Sequence, residues 1–175
     1  MKLGNITLRK LQKIDATNIT KHCSNKEIAK WLSSTPYPYH QKDALWFIND
    51  SQKQWSKGTS FRFGIIIDKQ LVGLCSLDSI DKNHRNGELG YWLSQECWGK
   101  GIMTKVAEAV VNYGFTKLNL HRVDICHAEL NKGSKRIIEK LGFQYEGTTR
   151  HKFFRFDKWI DTHDYGLLKS EWKRL

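Results

Sequence analysis

With 175 residues, 39% of them hydrophobic and 12% aromatic, the chain is long enough to bury a core as one domain without metal or disulfide staples. Two prolines and 13 scattered glycines exclude collagen-like and low-complexity classes, and no apolar run approaches the ~20 residues of a membrane span. Lys plus Arg number 29 against 18 Asp plus Glu, a formal charge of +11 that favours polyanionic partners, yet the charges are spread and form no basic nucleic-acid arm.

The start MKLGNITLRK has no apolar signal-peptide core, so no export signal is expected. The four cysteines, Cys23, Cys75, Cys97 and Cys126, show neither C-x-x-C nor zinc-finger spacing. They read as free thiols of a reducing cytoplasm, with no metal.

Residues 5–9 alternate as a short strand. Asp15 is placed to cap a helix bearing Ala16, Ile19 and Cys23, and Asn25 a second one bearing Ile28, Trp31 and Leu32. Ser33 to His40, which holds both prolines, reads as a loop, and a helix is predicted from about 41 to 56 with Ala44, Ile48 and Trp55 inward. Core packing accounts for most of Trp31, Tyr37, Tyr39, Trp46 and Trp55, and the two-tyrosine loop is a candidate gate for a second substrate.

The period then changes to two. Phe61, Phe63, Ile65 and Ile67 alternate, Asp68-Lys69-Gln70 can turn the chain, and Leu71 to Leu77 completes a hairpin. Gly87 to Leu93 is a third strand of this group, followed by a helix from about 100 to 117 with Ile102, Val106, Ala109, Val110 and Tyr113 on its apolar face. Val123 to His127 is a strand, 132 to 141 a helix capped by Asn131 and stopped by Gly142, and Phe143 to Gly147 and Thr162 to Leu168 are the last strands. The helix between the strands near 90 and 125 is long enough for a crossover, so those two are predicted parallel and the hairpins antiparallel, in a mixed α/β sheet with helices on its faces.

The chemistry concentrates in Glu88 to Ile102, where a strand ends, Gly99 and Gly101 follow and a long helix begins. Glycines permit close backbone approach, and the first helical N–H groups have no partner in the chain, so together they suit a phosphate. The G-x-G here extends to neither a dinucleotide fingerprint nor a P-loop.

Glu-Leu-Gly-Tyr-Trp-Leu at 88–93, Trp-Gly-Lys-Gly at 98–101 and Asn131-x-x-Ser134 followed by Leu-Gly-Phe143 together resemble the GNAT superfamily of acyl-CoA-dependent N-acetyltransferases, in its RimJ/RimL-like branch. The likeness runs from Ile6 to Trp172. It implies a mixed, mostly antiparallel sheet splayed between central parallel strands, with helices on both faces and acetyl-CoA wedged into the splay.

It also implies roles. The backbone of Trp92 and Leu93 would pair with the pantetheine arm, with a Leu93 N–H facing the oxyanion. Trp98, Gly99, Lys100, Gly101, Ile102, Met103 and Thr104 would hold the pyrophosphate, and Asn131 would meet the pantetheine amides. Glu96 departs from the family's Gln/Arg and is expected to point to solvent. Ile138 stands where many members carry a tyrosine acid. Ser134 is then either a proton donor to the thiolate or a completion of the Asn131 cap.

An amine attacks a thioester only when neutral. At pH 7, deprotonating a lysine-type amine costs roughly 4.6 kcal/mol, and an α-amine about 1 kcal/mol. Glu88, sharing a strand face with Gly90 and Trp92, resembles the strand carboxylate that serves several members as base; a structural carboxylate in the splay is the alternative. His127 reads as a buried, satisfied histidine, and His151 and His163 lie in a less regular region where an acceptor amine could bind.

The expected partner is an amine acceptor: a protein N-terminus, ribosomal-protein type, with nucleic acid involved only indirectly. The alternatives are a polyamine or aminoglycoside, or a non-catalytic basic ribosome-binding module. Edge strands near the C-terminus could pair a homodimer.

Overall fold

The computed structural model describes residues 1–173. In chain order its elements are β1 (Lys2–Leu3), β2 (Ile6–Lys10), α1 (Ala16–Cys23), α2 (Lys26–Ala29), α3 (Gln41–Lys57), β3 (Phe61–Ile67), β4 (Gln70–Asp81), β5 (Asn86–Leu93), α4 (Ile102–Lys117), β6 (Arg122–Ala128), α5 (Lys132–Lys140), β7 (Gln144–Arg155) and β8 (Lys158–Leu168). The strands form one sheet in the order β1-β2-β3-β4-β5-β6-β8-β7. Among the described residues only β5 and β6 run parallel, as the crossover helix α4 demands; every other pairing there is antiparallel.

That parallel pair is also where the sheet opens. β5 and β6 pair only through Asn86–Glu88 and Arg122–Asp124, while β5 runs on to Leu93 and β6 to Ala128. Beyond Glu88 the two strands part.

Two cores flank the sheet. Alternation sends Leu89 and Leu93 toward α4 and α5, where they pack with Val106, Val110, Phe115, Ile138 and Tyr165. The opposite face, carrying Leu74 and Trp92, packs against α1 and α3 through Ile19, Cys23, Ala44 and Ile48. Among the described residues, no helix is long and apolar enough to cross a membrane.

Local chemistry explains most boundaries. Asp68 and Lys69 both take positive φ, the conformation a two-residue hairpin turn needs. Asn25 caps α2, its side chain accepting from the Glu27 amide, and Gly58 ends α3 at φ 71°.

Several expectations are corrected. Asp15 does not cap α1: its carboxylate takes the Gln12 amide at 2.7 Å and both terminal nitrogens of Arg9, because a bidentate charged partner outcompetes a neutral helix end. Helix α2 stops at Ala29, before Trp31 and Leu32. The buried face of α4 is Met103, Val106, Ala107, Val110, Val111, Gly114 and Phe115, rotated from the predicted one, so Ala109 and Tyr113 are only partly covered. Trp46 is 69% exposed rather than core.

The largest difference lies at the C-terminal end. β7 and β8 form a long hairpin through residues read as irregular, with register shifts at Tyr145/Gly147 and Thr149/Phe153. Its tip is pinned to the proline loop: Arg155 donates to the carbonyls of Ala29 and Thr35, and Phe156 meets Tyr37 edge-on. His151 and His163 sit on this hairpin, His151 inside the irregular stretch between Thr149 and Phe153 and stacked on Trp159, and His163 packed beside His127.

Candidate active site in the splayed sheet

A cavity of about 580 Å³ opens where β5 and β6 part, within the range of cofactor pockets. One wall is the end of β5 with Tyr91, Trp92 and Leu93; the far wall is α5 with Asn131, Ser134 and Ile137. The turn into α4 closes one end through Trp98, Gly99, Gly101, Ile102, Met103 and Thr104.

That turn is built for an anion. Gly99 and Gly101 adopt φ of 73° and 70°, a region costly for other residues, and a Cβ at either would point into open space. Gly101 is the N-cap of α4 with no side chain capping it, so the first amides of a 16-residue helix remain free for a ligand. The Trp98 indole N–H donates to the Leu93 carbonyl at 2.8 Å, tying the turn to the strand end. Leu93 therefore already spends its carbonyl within the chain.

Every predicted cofactor residue except Lys100 lines this cavity; Lys100 is exposed outside it. Sequence reasoning missed the other cations. Lys132, Arg136 and Lys140, spaced by four on α5, line the cavity together with Lys30, against the single carboxylate of Glu27. The spacing was legible as a helical stripe. Glu96 is exposed, as its departure from the family pattern implied.

Asn131 and Ser134 both line the cavity, with a division of labour. The Asn131 side chain accepts from the Ser134 amide at 3.1 Å, which makes the α5 cap. The Ser134 hydroxyl is left for another partner, the Tyr91 hydroxyl 2.9 Å away across the gap. Tyr91 carries no local signal for this contact, which spans 43 positions. Burial pushes its phenol well above the ordinary tyrosine range. Ile138 is fully buried, so no side chain there reaches the cavity.

Glu88 lies outside the cavity lining, at the last paired position of β5 before the strands part. It belongs to a row of carboxylates on the α3 side of the sheet: Asp78 opposite it on β4, Asp124 opposite it on β6, and Asp164 beyond on β8. Water reaches Glu88, yet protein crowds it on several sides. Desolvation first, then the charges of Asp78 and Asp124, raises its pKa above the ordinary carboxylate value; Lys152 opposes this and Asp164 adds to it. Cys126, in the same row, is pushed up to about 11 by burial, so its thiol stays protonated near neutral pH. His127 is buried and satisfied, between the Ala128 carbonyl at 2.8 Å and the Tyr165 hydroxyl at 3.3 Å.

Comparisons with known proteins agree with this geometry. The family described as "Acetyltransferase (GNAT) domain" matches residues 5–144. The "Putative ribosomal N-acetyltransferase YdaF" of Bacillus subtilis strain 168 is 32% identical over 175 residues, covering 96% of this chain and 93% of the relative. The spermidine N(1)-acetyltransferase of Escherichia coli K12 is 30% identical over 150 residues, 85% of this chain and 78% of the relative. A crystal structure of a "Probable acetyltransferase" superposes with a TM-score of 0.90 at 32% identity, covering 97% and 96% of the two chains. The spermidine N-acetyltransferase of Vibrio cholerae, in complex with CoA and spermine, gives 0.84 at 27% identity, covering 97% and 98%. With its splayed sheet, its glycine turn into α4 and a family match over most of its length, the chain is a member of the GNAT acetyltransferase family.

Proposed function

We propose that this protein transfers the acetyl group of acetyl-CoA to the free α-amine of a protein N-terminus, of the ribosomal-protein type. Acetyl-CoA fits the cavity on chemical grounds. Its pyrophosphate matches the free amides after Gly101, its further phosphate matches the basic stripe Lys132, Arg136 and Lys140, and its pantetheine matches the gap between β5 and α5. When bound, it supplies the activated acyl group.

The residues then divide the work. Gly99 and Gly101 let the backbone approach the phosphates, and Asn131 fixes the start of α5. Ser134, held by Tyr91, presents a hydroxyl where the departing thiolate needs a proton. Glu88, at the fork of the strands, takes the proton of the attacking amine, directly or through water.

One observation favours an α-amine over a polyamine. Of the four carboxylates in the row, three are engaged by the protein itself: Asp78 by Arg62, Asp124 by Arg122, and Asp164 by the hydroxyls of Thr149 and Thr162. Glu88 makes no hydrogen bond or ion pair among the described residues. A polycation needs several unengaged carboxylates; an α-amine needs one base and only about 1 kcal/mol of deprotonation at pH 7. A small-amine acceptor is the second reading, favoured by the similarity to spermidine acetyltransferases.

The test is a peptide bearing both a free N-terminal Ala or Ser and an internal lysine, incubated with acetyl-CoA and mapped by mass spectrometry. Acetyl at the N-terminus supports the reading. Acetyl on the lysine alone, or on polyamines alone, replaces it.

A further inference from the structure

Glu88 is flanked at equal register by two carboxylates, and each of them is gripped by an arginine: Asp78 by Arg62 of the adjacent strand β3, and Asp124 by Arg122, two positions earlier on β6 itself. On one side, Arg62 of β3 donates its Nε to Asp78 Oδ1 at 2.8 Å and its Nη1 to Asp50 Oδ2 of α3 at 2.8 Å. The Arg62 guanidinium also lies over the Phe47 ring of α3, 4.9 Å from its centroid, and its side chain is only 17% exposed. Ser76 donates to the other Asp78 oxygen at 2.6 Å. On the other side, Arg122 donates its Nε to Asp124 Oδ1 at 2.7 Å and its Nη1 to Glu146 Oε1 of β7 at 2.8 Å. Both arginines are therefore anchored twice, once to the carboxylate beside Glu88 and once to a carboxylate farther out.

We infer that Arg62 and Arg122 are positioning residues for the acetyl-transfer reaction: braced from α3 and β7, they offset part of the negative charge on either side of Glu88 and so limit its proton affinity enough for it to act as a base near neutral pH. Two bare carboxylates beside a third would hold the proton on Glu88 far more tightly, because like charges disfavour ionisation. The groups facing Glu88 are Asp78 from β4, Asp124 and Cys126 from β6, Lys152 from β7 and Asp164 from β8. Of these, Lys152 brings the one positive charge; Arg62 and Arg122 act one step back, through the carboxylates they hold. Arg62 is the stronger brace, since it is the more buried and the less screened by water.

The inference rests on Glu88 being the base, and the experiment separates the two. The pH dependence of kcat/KM is measured for the full-length protein and for Glu88→Gln, Arg62→Met, Arg62→Lys, Arg122→Met, Asp78→Asn and Arg62→Met/Asp78→Asn. The acceptor amine gives every variant one acidic limb of its own; Glu88 adds a second, and Arg62→Met is expected to move that second limb up by roughly one pH unit, and Arg122→Met by less. Arg62→Lys restores part of the shift, Asp78→Asn moves the limb down, and the double variant cancels the Arg62→Met shift. If Glu88→Gln abolishes the second limb but neither arginine variant moves it, the braces are overturned and the base stands. If Glu88→Gln keeps the second limb, the base reading falls and the braces with it. Should Arg62→Met fail to fold, Arg122→Met, at a more exposed site, and Asp78→Asn decide by the same two shifts.

Discussion

Tyr91 on β5 and Ser134 on α5 meet oxygen to oxygen at 2.9 Å across the gap between the two parted strands. Because burial raises the Tyr91 phenol, it stays protonated over any working pH and remains available as a hydrogen-bond donor. A buried hydroxyl held this way presents one orientation to a ligand instead of three.

Tyr91→Phe should therefore lower kcat roughly tenfold, the worth of one hydrogen bond of about 1–1.5 kcal/mol, and Ser134→Ala by more, because it removes the proton donor as well as the contact. The combined variant should be no worse than the weaker single one, since both remove the same contact. Steady-state kinetics check this, and losses that multiply would mean that the two residues act separately.

Gly101→Glu should abolish acetyl-CoA binding. It forces a side chain into φ 70°, and it sets a carboxylate at the open mouth of the α4 amides. Calorimetry reads the outcome, and unchanged affinity would remove the turn as the phosphate cradle.

The raised pKa of Glu88 fixes the sign of the pH dependence. The base form is lost as pH falls through a value above the ordinary carboxylate one, so below the limb set by the acceptor amine itself kcat/KM should show a second acidic limb, earlier than for an exposed glutamate. Glu88→Gln should remove that limb and cost turnover more than acetyl-CoA affinity. An identical profile in the variant would exclude Glu88 as the base.

Gly73→Ala tests the packing that shapes the cavity wall. An added Cβ would lie 2.7 Å from the Trp92 carbonyl oxygen, 2.9 Å from Leu93 Cδ1 and 3.1 Å from Ile65 Cδ1. The backbone oxygen cannot yield cheaply, so a loss of about 1–3 kcal/mol is expected, lowering Tm by roughly 3–10 °C. A melting curve matching the parent would show that β4 and β5 tolerate separation there.

The strands from Phe61 to Leu93 were legible because β3 writes period two into Phe61, Phe63 and Ile65, although cores cover both faces of the sheet and Ile66, Leu74 and Trp92 are buried on the other side. The parallel β5–β6 pair followed from the length of α4, and the turn that closes one end of the cavity from Gly99 and Gly101. The β7–β8 hairpin was not legible: much of β7 is open to water, and the register shift between Thr149 and Phe153 breaks any alternation. Asp15 misled because cap chemistry is local, whereas its partner Arg9 arrives from the preceding strand. Tyr91–Ser134 and the Arg62 brace are long-range contacts, invisible to any periodicity. The stripe at Lys132, Arg136 and Lys140 was visible in the spacing, and only the cavity gives it a meaning.

The most direct test of the central claim is free-thiol release from acetyl-CoA at pH 8 with two acceptor pools: short peptides with free Ala, Ser or Met N-termini, and a mixture of polyamines and aminoglycosides. The account predicts release with the peptides and little with the small amines. Release with the small amines alone would contradict it, and would mean that the carboxylate row around Glu88 binds a polycation despite its internal arginines.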